Sequence, residues 1–258
     1  MWPSFVGDLV KKLLLLGLIA AVNCTPPAII CAAKTAPQAP TPQIDPLHMA
    51  AIQGTELQIR DLLTKEPTLK DAQNMASALV IAIACSNVGG VRALLDLGAN
   101  PNTNVGPADQ SGELWALIQA MACLIQAATA IDIKQDGIAL DQKADGTVAT
   151  KSVPKTDEQR GRELAEAKEI FDMVVAHPTT DLRKKNSAGM NVYLQASIAQ
   201  VAIQGVDKAP KTVETIQHVT RTLETELIKR SIKPETLLND APTEVTRALK
   251  EMTPPRAA

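Results

Sequence analysis

The chain has 258 residues, a formal net charge of −2, 45% hydrophobic residues and 21% charged residues. These values are ordinary for a soluble protein that buries a sizeable core. They argue against a nucleic-acid-binding protein, which needs a basic stripe to neutralise phosphates. Aromatic residues make up only 2% of the chain, so the core must consist mainly of Ala, Leu, Ile and Val. This composition favours closely packed helices over a β-sandwich.

Residues 1–33 have the features of an export signal. Two lysines precede the apolar run Leu13–Val22, which is too short to span a bilayer and is typical of the apolar region of a signal peptide. Small residues at positions 31 and 33 favour cleavage after Ala33. We therefore predict an exported protein, periplasmic or secreted, with no membrane span after processing.

Cys24 leaves a second interpretation open, which is acylation of this cysteine and anchoring to a membrane. A bacterial lipoprotein signal usually has Leu three positions before the cysteine and Gly or Ala directly before it. Here Ala21 and Asn23 stand at those positions, so we favour plain cleavage over a lipid anchor at Cys24. Residues 34–44, which contain TAPQAPTP, have the composition of an extended Pro-rich linker.

A repeated pattern begins at residue 46. The first copy reads PLHMAAIQG followed by IRDLL, and the second copy, at 78–102, reads ALVIAIACSNVGGVRALLDLGANPN. This pattern resembles the ankyrin repeat, with its T-P-L-H-x-A-A signature, a following Gly and paired leucines. The positions of the first copy that match are Pro46, Leu47, His48, Ala50, Ala51, Gly54, Ile59, Leu62 and Leu63.

The resemblance implies an all-α solenoid of about four helix–turn–helix units, in which each unit buries its apolar face only by stacking on its neighbours. Small residues on the first helix of a unit allow close approach. We expect Gly54 and Gly98 to end helices in the left-handed region. In the family, the imidazole at the position of His48 bonds to backbone across the turn between repeats.

The third unit is predicted to be interrupted. Helices are expected at Gly112–Ala130 and Arg160–Ala176, with an insertion at 131–157 between them. The dipeptides Asp136-Gly137 and Asp145-Gly146 are turn signals flanked by short alternating runs, so the insertion is either a loop or a β-hairpin. An ordinary ankyrin repeat has no such insertion.

The repeat pattern returns after Ala176, where Asp181 and Gly189 match the family. A fourth unit is predicted with helices at Met190–Ile203 and Lys211–Arg230, so that the ankyrin domain covers 45–230. Residues 231–258 are interpreted as a cap and tail, with a capping helix at Pro242–Met252.

The sequence has no catalytic or metal-binding motif of a known kind. Cys85 and Cys123 lie on the first helices of adjacent units and are interpreted as reduced buried thiols, with a disulfide as the alternative. No histidine stands at ligand spacing from either cysteine, so a zinc site is not expected. We predict neither enzyme activity nor a cofactor.

The expected function is the binding of a protein partner of unknown identity. In ankyrin proteins the finger-like turns between units and the faces of the first helices usually contact partners. The residues at such positions here are Asn102, Asn104, Asp109, Trp115, Arg183, Lys184, Lys185 and Asn186. Trp115 is included because large aromatic residues are enriched in interfaces, and packing beneath the inserted loop is its alternative role.

Two other functions stay open. One is a lipid-anchored structural protein of the cell envelope. The other is an inhibitor or accessory protein of an enzyme, which would place the inserted loop in a cleft of its partner.

Overall fold

The computed structural model describes residues 45–105, 114–142, 148–203 and 209–239. This part of the chain is mostly helical, in agreement with the predicted all-α class. A short 3₁₀ helix at Pro67–Lys70 lies between two of the α-helices. The helices are α1 (Pro46–Gln53), α2 (Glu56–Lys65), α3 (Ala72–Ala84), α4 (Val88–Asp96), α5 (Ala116–Asp132), α6 (Asp157–Ala176), α7 (Val192–Ala202), α8 (Pro210–Lys229) and α9 (Pro234–Asn239).

Polar residues at the helix N-termini explain where most of these helices begin. Thr55 and Thr156 each form a capping box with the glutamine three residues later, which satisfies two backbone N–H groups that lack a partner within the helix. Asp71 and Asn191 accept hydrogen bonds from the first turns of α3 and α7. Each such cap contributes about 1 kcal/mol to helix stability.

The helices pack in pairs that contact one another in sequence. α1, α3 and α5 form one row, in which each helix contacts the next, and α2, α4, α6 and α8 form a second row. The rows are joined because α1 packs on α2, α3 on α4, α5 on α6 and α7 on α8. The last pair differs from the others in that α8 also packs extensively on α5, and α9 covers α7 and α8.

The core between the two rows is built from small and branched aliphatic side chains. Ala51, Ala78, Ala82 and Ala120 are completely buried, and their small size lets neighbouring helices approach closely. Buried leucines fill the remaining space, each contributing about 1.5–3 kcal/mol by its removal from water. The fully buried leucines are Leu47, Leu63, Leu79, Leu94, Leu117, Leu194, Leu223 and Leu227.

Ion pairs and one histidine–carboxylate contact cross the outer surface of the second row. Arg60 of α2 pairs with Asp96 of α4, and Arg92 of α4 pairs with Glu169 of α6 at 2.9 Å. His218 of α8 lies 2.8 Å from Asp172 of α6. Because these side chains are partly exposed, each pair contributes little to stability, but together they join each helix of the row to the next.

The predicted insertion contains an antiparallel pair of strands, β1 (Gly137–Gln142) and β2 (Val148–Val153). Their register places Gly137 opposite Val153 and Gln142 opposite Val148. α5 extends to Asp132 and α6 begins at Asp157, so the segment between these two helices is close to the bounds predicted for the insertion. Of the two turn dipeptides, Asp136-Gly137 leads into β1, and Asp145-Gly146 lies outside the described residues.

Gly54 differs from its prediction. Its backbone is extended, with φ −75° and ψ 150°, so no left-handed conformation requires glycine there. A Cβ atom at this position would instead lie 2.5 Å from the carbonyl oxygen of Ala50, which itself accepts the N–H of Gly54 at 2.7 Å. Close approach to the end of α1 is therefore the reason for glycine. Gly98 has φ +93°, as predicted.

The C-terminal end of the stack is covered by α9. Leu237 is 3% exposed, and its carbonyl accepts a hydrogen bond from the buried amide of Asn191 at 3.3 Å. The capping helix predicted at Pro242–Met252 lies outside the described residues.

Candidate protein-binding surface

Two turns lie on the side of the stack where α5 begins and α6 ends. We call them the first finger (98–105, with Leu114) and the second finger (177–191). In the first finger, the side chain of Asn100 accepts the N–H of Asn102 at 3.0 Å. The backbone N–H of Val105 donates to Leu114 at 2.9 Å, and the Asn104 side chain accepts the N–H of Leu114 at 2.9 Å. These bonds close the base of the finger.

The second finger is a tight hairpin. Lys185 and Asn191 form an isolated antiparallel bridge, and the side chain of Asn186 accepts the N–H of Met190 at 2.9 Å. Gly189 has φ +74°, which favours glycine at this turn. Asn186 therefore shapes the finger that carries it, and its amide oxygen is occupied within the turn.

Asn102 joins the two fingers directly. Its side-chain amide donates to the carbonyl of Thr179 at 2.7 Å and accepts the N–H of Asp181 at 2.7 Å. Its own carbonyl accepts a hydrogen bond from the ammonium of Lys184. A residue predicted as a partner contact is thus the link that makes the fingers one continuous surface.

Trp115 is not available as an exposed anchor. It is 1% exposed, and the Nζ atom of Lys184 lies 4.5 Å from its ring centroid, within the range of a cation–π interaction. This corrects the prediction of an interface aromatic, because the ring packs in the core and Lys184 contacts it. Lys184 likewise has a structural position, since the same ammonium bonds to Asn102.

The remaining predicted residues divide by exposure. Arg183 and Lys185 are exposed on the second finger, and Asn104 is exposed on the first finger. The carbonyl of Asn104 accepts a hydrogen bond from the Gln73 side chain at 3.2 Å. Asp109 lies outside the described residues. The structure therefore leaves Arg183 and Lys185 as the charged side chains of the predicted set that are exposed on the fingers.

Arg230 supports the second finger and was not identified from the sequence. Its guanidinium donates to the carbonyls of Val175 and His177 at 2.8 and 2.9 Å, and to that of Thr180. Val175 lies in the last turn of α6 and the other two residues follow the helix, so these carbonyls are ones that lack partners within the helix. An arginine in the last turn of a predicted helix is only a weak signal of such a role. Its partners lie 50 residues or more away in the chain, so the sequence does not show that they meet.

Two other predictions concern single side chains. The Nε2 atom of His48 is buried and has no hydrogen-bond partner among the described residues, so this atom does not make the backbone bond that the family resemblance implies. Cys85 and Cys123 form no disulfide, as the favoured interpretation predicts, but both are half-buried and not fully buried. Burial raises the pKa of the Cys85 thiol.

One other cavity lies beside α6 and α8. Its volume is about 290 Å³, and it is lined by Asp172, Arg221, Thr222, Thr225 and Glu226. Two of its carboxylates already pair within the protein, Asp172 with His218 and Glu226 with Lys229. In the described parts of the chain, no group of three or more His, Cys, Asp or Glu residues is placed to hold a metal ion.

No protein-family model, curated protein or solved structure matches this chain. Within the described ranges, no helix is both long enough and apolar enough to cross a membrane.

Proposed function

We propose that this chain is an ankyrin-type solenoid that binds a protein partner and has no catalytic activity of its own. The repeated sequence pattern and the two rows of paired helices support the solenoid. Each pair has one face covered by its neighbour, so that helices too thin to be stable alone share a continuous core. The two fingers lie along one side of this stack and form a surface that is not needed to build the core.

The observation that carries the proposal is the link made by Asn102 between the fingers. Separate turns would each offer a small mobile contact, and ordering them on binding would cost conformational entropy. The two bonds to Thr179 and Asp181, both at 2.7 Å, hold the fingers together before a partner binds. A pre-ordered surface of this kind is suited to recognition.

The exposed charges indicate how the surface would contact its partner. Arg183 and Lys185 extend from the second finger, while Lys184 packs onto Trp115. The carboxylate of Asp181 accepts the backbone N–H of Arg183 at 2.9 Å and so takes part in the turn. Arg183 and Lys185 are therefore the residues to alter in testing the surface, and Lys184 is not.

Export and processing belong to the same proposal. Residues 1–33 are proposed as a cleaved signal and residues 34–44 as the linker to the folded body, which places the binding function in the periplasm or outside the cell. Acylation of Cys24 is the alternative, and it would make the protein a lipid-anchored component of the envelope. The mass of the mature N-terminus separates the two, because an acylated chain would begin at residue 24.

The binding proposal is tested by reversing charge on the fingers. The double variant Arg183→Glu/Lys185→Glu is compared with Arg162→Glu/Lys168→Glu, which makes the same charge change on the outer surface of α6. Arg162 and Lys168 are 65% and 50% exposed, and each pairs with a carboxylate four residues away on the same helix. Each chain is used to capture proteins from an extract of the cells that make it, and captured proteins are identified by mass spectrometry.

The proposal predicts one protein that is captured by the unaltered chain and by the α6 variant, and that is lost with the finger variant. Direct binding of that purified protein must then show the same order of affinities. Equal capture by all three chains would place binding elsewhere. If none of the captured proteins binds the chain directly after purification, the proposed function is overturned.

A further inference from the structure

The asparagines of the two fingers share one arrangement. Five asparagines lie in the fingers, and the side-chain oxygen of each accepts a backbone N–H group at 2.7–3.0 Å. These residues are Asn100, Asn102, Asn104, Asn186 and Asn191. The carboxylate of Asp181 accepts the N–H of Arg183 in the same way. The amide oxygens of the fingers are therefore engaged in shaping them.

The nitrogen atoms of the same amides are not all used. A carboxamide carries two N–H donors on its nitrogen. The nitrogens of Asn102 and Asn191 donate to backbone carbonyls, whereas those of Asn100 and Asn186 donate to no group in the described part of the chain. Asn100 is exposed and Asn186 is partly exposed. These two amides can therefore offer donors to a partner while their oxygens hold the turns.

The fingers also differ in charge from the rest of the chain. Their charged residues are Asp181, Arg183, Lys184 and Lys185, which sum to +2, and the whole chain has −2, so the remainder carries −4. Arg183 is exposed and pairs with no carboxylate among the described residues. The fingers are thus a basic site with free donors on a chain that is otherwise acidic.

The amount of charge decides which anionic partner fits. Proteins that hold nucleic acid by its backbone make about 6–10 phosphate contacts, and anionic membranes are recognised by clusters of about 4–8 Lys or Arg residues. The fingers have three such residues, and the ammonium of Lys184 bonds to Asn102 and packs on Trp115. A few carboxylates of a polypeptide match this smaller number. A carboxylate accepts hydrogen bonds without donating any, and it can take both bonds of an arginine fork.

We propose that the fingers bind an acidic segment of the partner protein, and that Arg183 and the amides of Asn100 and Asn186 donate to its carboxylates. This inference rests on the proposed protein-binding function and adds the chemistry of the partner. Asn102 holds the two fingers together, so donors from both fingers belong to one surface. Lys185, which is exposed on the same finger as Arg183, adds positive charge there.

The test uses a phage-displayed library of random dodecapeptides as the probe. Peptides are selected on the full chain and counter-selected on Arg183→Gln, which removes the charge of an exposed side chain. Circular dichroism establishes that the variant keeps its helices. We expect the selected peptides to contain Asp and Glu in clear excess over the unselected library. Peptides without this excess, or the absence of any peptide that distinguishes the two chains, would overturn the inference.

The best peptide is then synthesised together with a matched peptide in which Asn and Gln replace Asp and Glu. Hydrogen bonds to charged groups are the stronger ones, so the neutral peptide should bind at least about tenfold more weakly. Affinity for the acidic peptide should also fall as the NaCl concentration rises, because salt screens exposed charges. Equal affinities of the two peptides contradict the inference.

The amide donors are tested by a change that keeps the turn. Asn100→Asp retains an oxygen that accepts the N–H of Asn102 and replaces the donor by a carboxylate, so it should weaken binding of the acidic peptide at least about fivefold. Gln217→Glu is the control, since it makes the same chemical change at an exposed position. It lies about 20 Å along α8 from Arg230 and should change the affinity by less than about twofold. Equal effects of the two substitutions would overturn the inference.

Other anions are outcomes of the same assay. Vesicles of phosphatidylcholine and phosphatidylserine and a short single-stranded oligodeoxynucleotide compete with the labelled acidic peptide for the full chain. If either binds more tightly than the peptide and loses binding to Arg183→Gln, the choice of a protein segment is wrong. If the selected peptides are neutral while a captured protein still depends on Arg183 and Lys185, the acidic partner is wrong and the proposed function stands.

Discussion

The carboxylate of Asp132, the last residue of α5, caps the first turn of α8. It accepts hydrogen bonds from the backbone N–H and the hydroxyl of Thr212 at 2.8 and 2.7 Å, and from the N–H of Lys211 at 3.1 Å. Ala209, which stands at the N-cap of α8, has no side chain able to do this. A helix near the C-terminus thus receives its cap from a residue 80 positions earlier.

This relationship predicts that Asp132→Ala lowers the free energy of unfolding by about 0.5–2 kcal/mol, the usual cost of losing an N-cap. Asp132→Asn keeps an acceptor oxygen and should cost less, although it loses the favourable interaction of a carboxylate with the helix dipole. Urea unfolding followed by circular dichroism measures both. Equal losses for Ala and Asn would mean that the capping bonds are not what stabilises α8.

Asn102→Ala should separate the two fingers. The substitution removes the bonds to Thr179 and Asp181, so we expect a loss of about 1–3 kcal/mol in the free energy of unfolding. Ser187→Ala, at an exposed position on the second finger, is the control and should change stability by less than about 0.5 kcal/mol. Indistinguishable unfolding curves for the two variants would contradict the role assigned to Asn102.

Neighbouring charges on the second finger should respond differently to the same substitution. Lys184→Glu removes the ammonium from the Trp115 ring and places a carboxylate near the ring face, which should destabilise the fold by at least about 1 kcal/mol. Arg183→Glu changes an exposed side chain and should stay within about 0.5 kcal/mol. Thermal unfolding compares the two variants. A larger effect of Arg183→Glu would contradict a stabilising contact between Lys184 and Trp115.

Stability should depend on pH through His177. Burial lowers the pKa of His177, and Arg230 lowers it further against the opposing effect of Asp96. The unfolded state therefore binds a proton more readily, so the stability associated with His177 is present above pH 6.5 and is lost as the pH falls through the folded-state pKa.

The check is urea unfolding of the unaltered chain and of His177→Gln at several pH values between about 5 and 8. The difference in stability between the two chains should shrink as the pH falls. A difference that stays constant over this range would exclude a contribution from His177 titration.

Cys85 should behave as a slow thiol. Because burial raises the pKa of Cys85, little thiolate forms at neutral pH, and the thiolate is the reactive species. Iodoacetamide should modify Cys85 slowly in the folded chain, and both Cys85 and Cys123 should be modified when the chain is unfolded without a reductant. Resistance of both to alkylation in the unfolded chain would instead indicate a disulfide.

Helix positions followed from local patterns. The resemblance to a known repeat, through the paired leucines at 62–63 and 94–95, implied the helices α2 and α4, and the apolar spacing around Val174 predicted α6. The predicted helix at 211–230 differs from α8 by one residue at each end. Such patterns are local because a helix buries one stripe of side chains. The hairpin in the insertion was also visible as an alternative, from turn dipeptides next to short alternating runs.

The candidate surface was less accessible to sequence. The residues at the finger positions could be predicted. Which of them have a structural role and which are exposed could not, because this depends on neighbours that are far away in the chain. Lys184 and Arg183 are adjacent and alike in charge, yet only Lys184 packs on Trp115. Arg230 gave only a weak signal, since its three partner carbonyls belong to backbone that any residue supplies.

By itself, the sequence determined the helical class and the place of the β-hairpin, because these depend on short-range patterns of side chains and on turn dipeptides. Only the tertiary structure decided that Asp132 caps α8, that Asn102 joins the fingers and that Gly54 is needed for close approach. Each of these depends on a distance between atoms of separate elements, and such distances arise only when the helices pack.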